Sequence, residues 1–377
     1  MAAVYIHIPF CLKKCNYCAF NSYTKTEFCP DEFVQALKKE IRIWGKENAP
    51  FLFPVSSLFL GGGTPTCLTS VQLEEILRTC REVFILTPEA EITVEANPGT
   101  VNYDKLLMLK ENGVNRLSFG VQSLSEKYLK FLGRIHTKDE FLANYTLARK
   151  AGFDNINLDF MFALPGQSVA EWQETLRQAA ALQPEHISAY NLVLEEGTPL
   201  KAAYDRGEFQ AADEETDLLM YEMTMDYLKS QGYKHYEISN FAKSNKQCRH
   251  NLVYWHNAEY WGFGAGAHSH YQGKRWFNFN RPDLYIKYLA SGLQPREEEE
   301  ELSLKTAMAE TMMQGLRLYE GVLKADFENR FQHKITEVYA VPLEKMHNSG
   351  LIMENKDRIR LTKKGLLLAN LVFAEFF

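Results

Sequence analysis

The first 240 residues alternate between short apolar runs and longer stretches in which apolar residues recur every three or four positions. Six of the short runs are rich in β-branched and aromatic residues and predict β-strands, at residues 4–8, 57–60, 91–95, 116–119, 157–161 and 186–190. The longer stretches predict helices, at residues 31–44, 71–83, 138–151, 169–182 and 214–231. Strands that alternate with helices indicate βαβ units and a parallel sheet, either doubly wound or an incomplete β/α barrel, with ligands at the carboxyl ends of the strands.

The pattern changes after residue 240, and we predict three parts: residues 1–240, a connecting segment 241–300 rich in aromatic residues and His, and a C-terminal domain 301–377. The charged run at residues 296–301 is typical of a solvated linker or the start of a helix. Three helices are predicted from residue 303, then a β-hairpin with strands at residues 351–354 and 358–361, then a helix that starts at Thr362. This order predicts a mainly helical, winged-helix-like domain.

Composition and charge narrow the class of protein. The chain has 377 residues, of which 46% are hydrophobic and 24% charged, as in ordinary folded proteins. A net charge of −6 argues against wholesale binding of nucleic acid. The N-terminal residues lack the pattern of a secretory signal, and no run approaches the ~18 apolar residues of a membrane span. We therefore predict a cytoplasmic protein with no nucleic-acid partner.

Three of the seven cysteines, Cys11, Cys15 and Cys18, lie within eight residues directly after the first predicted strand. Such clustered thiols bind metals more often than they form disulfides in a reducing compartment. A zinc site would need a fourth ligand from outside the loop, such as His7 or Cys29. A [4Fe–4S] cluster instead uses three thiolates and keeps its fourth iron open. Cys29, Cys67 and Cys80 are predicted to be small buried residues.

The Cys-x3-Cys-x2-Cys spacing resembles that of the radical S-adenosylmethionine (SAM) superfamily. The resemblance implies a partial (β/α)6 barrel, with Cys11, Cys15 and Cys18 as ligands of a [4Fe–4S] cluster. It also implies that the open iron binds SAM and that an electron from the cluster cleaves SAM to a 5′-deoxyadenosyl radical.

Further polar residues follow the later predicted strands. A glycine run, Gly61-Gly62-Gly63-Thr64, follows the second strand, and Glu95 ends the third. Gln122, Arg134 and Asp159 lie at or after the next strands, so that one mouth of the sheet would hold carboxylates, an amide and a guanidinium.

With these residues, the chain resembles the radical SAM subfamily that contains oxygen-independent coproporphyrinogen III oxidases and a related haem chaperone. The resemblance implies that Tyr5, Gly62 and Glu95 contact the SAM bound to the cluster. It also implies SAM contacts, including those to a second copy, at six further positions: Tyr17, Gly63, Thr64, Gln122, Arg134 and Asp159. Whether one or two SAM molecules bind is left open.

Two departures separate the chain from the oxidase pattern. Phe20 stands where the oxidase has a fourth cysteine, and the oxidase carries an N-terminal extension before its cluster, whereas Cys11 is close to the first residue here. The segment His250-Asn251-Leu252-Val253-Tyr254-Trp255 matches the H-N-x-x-Y-W signature of the haem chaperone. Haem contacts are therefore implied for His250, Asn251, Tyr254 and Trp255. An imidazole nitrogen can ligate haem iron, but a histidine among aromatic residues can equally be a packed core residue.

The prediction is a radical SAM protein that binds haem as cargo and passes it to acceptor haemoproteins. The alternatives are an oxygen-independent coproporphyrinogen III oxidase and a radical SAM enzyme for an unrelated substrate, so enzymatic activity is left undecided. The expected partners are haem, acceptor haemoproteins and a small reductant protein such as flavodoxin or ferredoxin. Peripheral contact with a membrane through the acceptors is compatible with this prediction.

Overall fold

The computed structural model describes residues 2–48 and 54–377, in which strands and helices alternate over most of the chain. The strands are β1 (Ala2–Ile8), β2 (Phe10–Cys11), β3 (Tyr23–Thr24), β4 (Val55–Gly62), β5 (Leu86–Ala96), β6 (Arg116–Gln122), β7 (Ile156–Phe162), β8 (His186–Asn191), β9 (Lys234–Glu237), β10 (Asn240–Ala242), β11 (Tyr260–Phe263), β12 (His268–Tyr271), β13 (Lys274–Asn278), β14 (Arg296–Glu301), β15 (Val322–Leu323), β16 (Ile352–Glu354) and β17 (Arg358–Leu361). The helices are α1 (Pro30–Asn48), α2 (Ser70–Val83), α3 (Tyr103–Glu111), α4 (Glu126–Phe131), α5 (Lys138–Lys150), α6 (Val169–Ala181), α7 (Pro199–Asp205), α8 (Glu214–Ser230), α9 (Arg249–Trp255), α10 (Pro282–Ala290), α11 (Leu304–Gly315), α12 (Lys324–Phe331), α13 (Ile335–Val338), α14 (Ala340–Asn348), α15 (Lys363–Leu367) and α16 (Ala369–Ala374).

One twelve-stranded sheet organises the molecule, in the order β14-β13-β12-β11-β1-β4-β5-β6-β7-β8-β10-β9. Its seven central strands, β11 to β8 in that order, are parallel. The six strands and five helices predicted for the first 240 residues are confirmed to within a few residues at each end. In the described part of the chain the edge strands β14 and β9 are not paired with each other, so the sheet is open. The predicted α/β class with a partial rather than a closed barrel is therefore confirmed.

The two faces of the parallel strands differ in polarity, because successive side chains of a strand point to opposite faces. On β6, Leu117, Phe119 and Val121 are buried with the helices in the main hydrophobic core. Their neighbours Arg116, Ser118 and Gln122 face the other side and line a cavity. The inner face of the sheet therefore forms a polar interior in which a ligand can be bound.

The segment at residues 241–300 joins this sheet. Its strand β11 pairs in parallel with β1, and β12, β13 and β14 extend the sheet beyond β11. The prediction of a linker or helix start at residues 296–301 is wrong, because the run forms the edge strand β14. Cross-strand pairs stabilise it: Lys274 Nζ lies 3.1 Å from Glu299, and Arg275 lies 3.4 Å from Glu300. A charged edge strand also disfavours pairing with another sheet.

The last part of the chain has a hydrophobic core of its own, formed by helices α11 to α16 and the three-stranded sheet β15-β17-β16. The predicted hairpin is confirmed as β16 and β17, and Thr362 caps the helix that follows, accepting a hydrogen bond from the Gly365 amide. The division into three parts at residues 240 and 300 stays a prediction. Among the described residues, no helix is both long and apolar enough to cross a bilayer.

Candidate functional site

The cysteine loop begins at the end of β2 and is folded back by the pairing of β2 with β3. Asn16 anchors its middle, since its amide donates to the Leu132 carbonyl at 3.0 Å and its side chain donates to the Phe131 carbonyl at 3.0 Å. Cys11 is buried, whereas Cys15 and Cys18 are partly exposed. The loop thus presents three thiols at the carboxyl end of the first strand, as the sequence predicts.

The three thiols have few partners in the protein. Cys11 Sγ lies 3.5 Å from the Thr64 hydroxyl, and Arg134 donates to Cys15 Sγ at 3.4 Å. Burial raises the pKa of the Cys11 thiol, and negative charge on Cys15 and Cys18 raises it further. A group with net positive charge between the thiols would relieve both effects, so the loop suits a metal cluster.

No three His, Cys, Asp or Glu side chains of the described residues converge as the ligands of a single metal ion would. Ligands of three different irons in a cluster need not converge in this way. Cys29, predicted to be buried, is exposed just before α1, so that prediction is wrong: the residue lies outside the core that α1 covers. The predicted burial of Cys67 and Cys80 is confirmed.

Asn97 connects two of the predicted SAM residues. Its amide nitrogen donates to Thr64 Oγ1 at 2.6 Å, and its amide oxygen accepts from Arg134 at 2.6 Å. Arg134 also donates to the Gly120 carbonyl at 2.5 Å, but its buried Nε has no partner among the described residues. Thr64 and Arg134 are therefore fixed beside the cysteine loop, with one donor available for a ligand.

The glycine run packs against β1 and β2. A Cβ atom on Gly62, whose φ is 109°, would lie 2.6 Å from the His7 ring, and one on Gly63 would lie 2.6 Å from the Phe10 carbonyl oxygen. The Gly62 amide donates to Glu95 at 3.1 Å. Close packing against these neighbours is therefore sufficient reason for glycine here.

Tyr5 lies in the same layer, where its hydroxyl is 3.0 Å from His7 Nδ1. The His7 Nε2 atom is 2.8 Å from the Asn21 carbonyl oxygen. Burial lowers the pKa of His7 to about 4, so the ring is neutral at physiological pH and connects β1 to the end of the cysteine loop.

A cavity of about 370 Å³, here called the inner cavity, occupies the polar face of strands β4 to β8. Four predicted SAM residues line it: Tyr17, Glu95, Gln122 and Asp159. Burial raises the pKa of Glu95 to about 8, and the Asp159 carboxylate adds to this shift. A cationic ligand in this cavity would favour the ionised form of Glu95.

Several polar residues of the inner cavity were not identified from the sequence, and they include Arg116, Asn157, His186 and Tyr190. Tyr190 and Asn157 donate to Asp159 at 2.9 and 2.8 Å. They could have been predicted from the alternation of side chains along each strand, which places every second residue on the same face. Arg116 shares its face with Gln122, and Asn157 shares its face with Asp159.

His250 lies at the opposite end of the inner face from the cysteine loop, at the start of α9. It is 1% exposed, and its ring stacks on Phe59 with 5.0 Å between the ring centroids. Its Nδ1 is hydrogen-bonded to the Ser57 hydroxyl at 3.0 Å and its Nε2 to the Tyr254 hydroxyl at 2.8 Å. Burial, assisted by Arg116, lowers the pKa of His250 to about 3. Ligation of iron by His250 would require one of these two hydrogen bonds to break.

The other predicted haem residues point in different directions. Asn251 lines the inner cavity. Trp255 instead lies under the guanidinium of Arg317, whose Cζ atom is 4.6 Å from the centroid of the Trp255 ring. Trp255 Nε1 is buried and has no partner among the described residues. The structure thus places α9 between the inner cavity and the C-terminal part of the chain.

Two family models match the chain. The model of the radical SAM superfamily matches residues 5–179, and the model of the HemN C-terminal domain matches residues 302–368. Over its full length the fold is similar to the solved structure of coproporphyrinogen III oxidase (HemN) from Escherichia coli, with a TM-score of 0.86, 24% identity and coverage of 89% of that chain. The fold and the cysteine loop therefore define a radical SAM protein with a HemN-type C-terminal domain.

Similarity to curated proteins identifies the family within this superfamily. The chain is 37% identical to "Heme chaperone HemW" of Bacillus subtilis, over 100% of this chain and 99% of that protein. It is 35% identical to the protein of the same name from Escherichia coli, over 98% of this chain and 96% of that protein. "Radical S-adenosyl methionine domain-containing protein 1, mitochondrial" of Danio rerio is 34% identical over 87% of this chain and 75% of that protein. The chain belongs to the HemW family.

Proposed function

We propose that this chain is a haem chaperone: it binds haem and delivers it to acceptor haemoproteins, with a [4Fe–4S] cluster and SAM as cofactors. The observation that carries the proposal is the similarity to proteins named "Heme chaperone HemW" from several bacteria, which extends over nearly the whole chain. That similarity includes both the cysteine loop and helix α9.

Cys11, Cys15 and Cys18 are the proposed ligands of the cluster. Three thiols in one loop match a cluster that takes one protein ligand at each of three irons and keeps the fourth iron open. When bound, the cluster supplies that open iron and an electron for SAM. The partial exposure of Cys15 and Cys18 supports access for a small reductant protein, for which flavodoxin and ferredoxin are the proposed classes.

The proposed SAM site extends from this loop into the inner cavity. Thr64 and Arg134, held by Asn97, contribute a hydroxyl and a guanidinium at its mouth. Tyr17, Glu95, Gln122 and Asp159 line its wall. Tyr5 of β1, Gly62 at the end of β4 and the next residue, Gly63, support that wall. The two carboxyl groups of this wall suit the positive sulfonium of SAM.

His250, Asn251, Tyr254 and Trp255 are the proposed haem-binding residues of α9. Asn251 lines the inner cavity and Trp255 lies beneath the Arg317 guanidinium, while the hydrogen bond between His250 and Tyr254 holds those two side chains in one arrangement. The cytoplasmic location and the acceptor haemoproteins stay predictions from the sequence.

The experiment is a haem titration beside an oxidase assay on protein reconstituted without oxygen. The expected result is a stable Soret band at one haem per chain, transfer of that haem to an apo-haemoprotein, and no decarboxylation of coproporphyrinogen III with SAM and a strong reductant. The structural reason to expect no turnover lies at Phe20. This residue is 69% exposed and lines the inner cavity at the position where the oxidase has a thiol. Catalytic formation of protoporphyrinogen would refute the proposal, whatever the haem titration gave.

A further inference from the structure

The inner cavity has two ends of different composition. The proposed SAM site begins at the end near the cysteine loop, where Gln122 closes β6. The opposite end, here called the floor, is lined by Arg116, Ser118, Asn157, His186 and Asn251. A rise of about 3.3 Å per residue puts roughly 20 Å between the α-carbons of Arg116 and Gln122, the first and last residues of β6. The floor therefore has room for a group other than the part of SAM that binds the cluster.

Most polar side chains of the floor satisfy one another. Ser118, Asn157 and His186 lie side by side on β6, β7 and β8. Asn157 donates to Ser118 Oγ at 2.7 Å, and its Oδ1 is 2.6 Å from His186 Nδ1. Burial lowers the pKa of His186 well below its ordinary value, so the ring is neutral, and its Nε2 is hydrogen-bonded to the Tyr236 hydroxyl at 2.8 Å. This row is thus uncharged and has its partners within the protein.

Arg116 is the exception on the floor. It is 2% exposed, and its buried Nε has no hydrogen-bond partner within the described part of the chain. A guanidinium is charged at any physiological pH, so its burial without a partner is unfavourable unless an anion binds to it. A carboxylate can bind along one edge of a guanidinium through two parallel hydrogen bonds. The unpartnered Nε therefore indicates a ligand with a carboxylate.

Arg116 lies beside the first turn of α9. Glu91, whose charge acts on Arg116, accepts hydrogen bonds from the His250 amide at 3.3 Å and from the Cys248 thiol at 3.6 Å. Arg116 in turn adds to the effect of burial in lowering the pKa of His250. Glu91 is thus engaged by α9, and the guanidinium of Arg116 stands next to the helix that carries the proposed haem residues.

The proposed haem residues reach the same space. Asn251 belongs to the first turn of α9 and lines the inner cavity, so its amide is part of the floor. The His250 ring stacks on Phe59, which also lines the cavity. The ligand that fits is a carboxylate carried by a molecule that α9 binds. Haem has this chemistry, because its ring carries two propionates.

We propose that the floor of the inner cavity is a carboxylate subsite, in which Arg116 and the Asn251 amide bind one propionate of the haem cargo. The inference rests on the proposed haem-chaperone function and adds a contact on β6, outside the His-Asn-x-x-Tyr-Trp segment. Only the propionate arm enters the floor, whereas the ring stays with the side chains of α9. The cavity of about 370 Å³ is thereby shared between SAM at the end near the cysteine loop and this arm at the other end.

The first test compares haem with haem dimethyl ester, in which both propionates are uncharged. With the cluster-loaded parent we expect haem to bind at least about tenfold more tightly than the ester, and Arg116→Gln should bring the two affinities within about twofold of each other. Arg116→Lys, which keeps the charge, should recover part of the preference for haem. Equal affinities of the parent for haem and the ester, or a preference that persists in Arg116→Gln, would overturn the subsite.

The second test leaves Arg116 in place and so does not depend on the folding of its variants. Asn251→Asp puts a negative charge into the lining without a change of size. Asn329→Asp is the matched control, because Asn329 is exposed on α12 and does not line the cavity. Asn251→Asp should weaken haem binding about three- to tenfold and leave the ester unaffected, whereas Asn329→Asp should change neither. A loss of the same size for haem and for the ester, or no loss at all, would contradict the proposed contact.

The third test separates the propionate of haem from the carboxylate of a SAM molecule. In calorimetric titrations with SAM alone, Arg116→Gln and Asn251→Asp should keep the stoichiometry of the parent and an affinity within about threefold of it. Loss of one bound SAM per chain, or a larger loss of affinity, would assign the floor to SAM and overturn the subsite. Failure of the parent to bind haem at all would refute the proposed function itself, whereas equal binding of haem and its ester by the parent would refute the subsite alone.

Discussion

Replacing His250 with Gln should flatten the dependence of the protein's stability on pH in mildly acidic solution. Burial lowers the pKa of His250 to about 3 in the folded chain, well below its ordinary value of 6.5. Between pH 6.5 and pH 3, the unfolded chain therefore binds a proton at this residue and the folded chain does not. The free energy of unfolding consequently falls as the pH falls through this window, and at neutral pH the contribution is fully present.

The magnitude follows from the proton count. One proton bound only by the unfolded state corresponds to a slope of about 1.4 kcal/mol per pH unit. His250→Gln removes this contribution, so between pH 5.5 and 4.5 the variant should lose about 1.4 kcal/mol less stability than the parent. At pH 7 the variant should be less stable than the parent by about 1–3 kcal/mol, because Ser57 and Tyr254 lose their buried imidazole partner.

The assay is urea unfolding followed by circular dichroism at half-unit steps from pH 4.5 to pH 7.5, with parent and variant in the same cluster state. The matched control is His256→Gln, at the exposed end of the same helix, for which we expect the slope of the parent. A parent-like slope in His250→Gln would refute the assignment of His250 as a neutral, hydrogen-bonded residue of the barrel interior. It would indicate instead a ring that solvent reaches in the folded protein.

Three further predictions concern the cofactors and the core. Cys15→Ala should abolish binding of about four irons and four sulfides per chain with the fold retained, whereas the exposed Cys29→Ala should keep the full complement; iron and sulfide analysis decides. Arg134→Gln should weaken SAM binding by about 1.5–3 kcal/mol in calorimetry without loss of the cluster, and unchanged affinity would remove Arg134 from the site. Burial raises the pKa of Glu40 to about 7, so between about pH 4.5 and pH 7 the folded chain holds a proton on Glu40 that the unfolded chain has lost, and the free energy of unfolding falls as the pH rises. Glu40→Gln should remove this fall in urea unfolding. Persistence of the fall in the variant would contradict the raised pKa.

Most of the fold could be predicted from local patterns. A period of two and a period near 3.6 depend only on neighbouring residues, so strands such as β8 and helices such as α5 were predicted to within one residue at each end. The hairpin β16–β17 was found because a short polar turn separates two β-rich runs. The charged run at β14 was missed, because it is stabilised as a strand by Lys274 and Arg275, whose positions relative to it depend on the pairing of β13 with β14.

The residues of the candidate site also fall into a group that local sequence predicts and a group that it does not. The cysteine loop was predicted because its three thiols lie within eight residues. Glu95, Gln122 and Asp159 were predicted because each lies in or just after a predicted strand, on the side of the sheet where the strands end. Arg116 and His186 were missed because each starts a strand at the far end of the interior, where sequence order gives no hint of a shared cavity. The location of His250 was equally beyond the local pattern, since its partner Ser57 lies 193 positions away in the chain.

The sequence by itself determined the βα units, the three thiols in one loop and the winged-helix-like order of the last part, since each depends on residues close together in the chain. Only the tertiary structure decided that residues 241–300 extend the sheet beside β1, because parallel pairing joins strands that are distant in sequence. It also decided that α9 lies between the inner cavity and the C-terminal part of the chain, with His250 in the barrel interior and Trp255 under Arg317. Local periodicity specifies which face of an element is apolar, whereas the neighbour of that face is selected by packing of the whole chain.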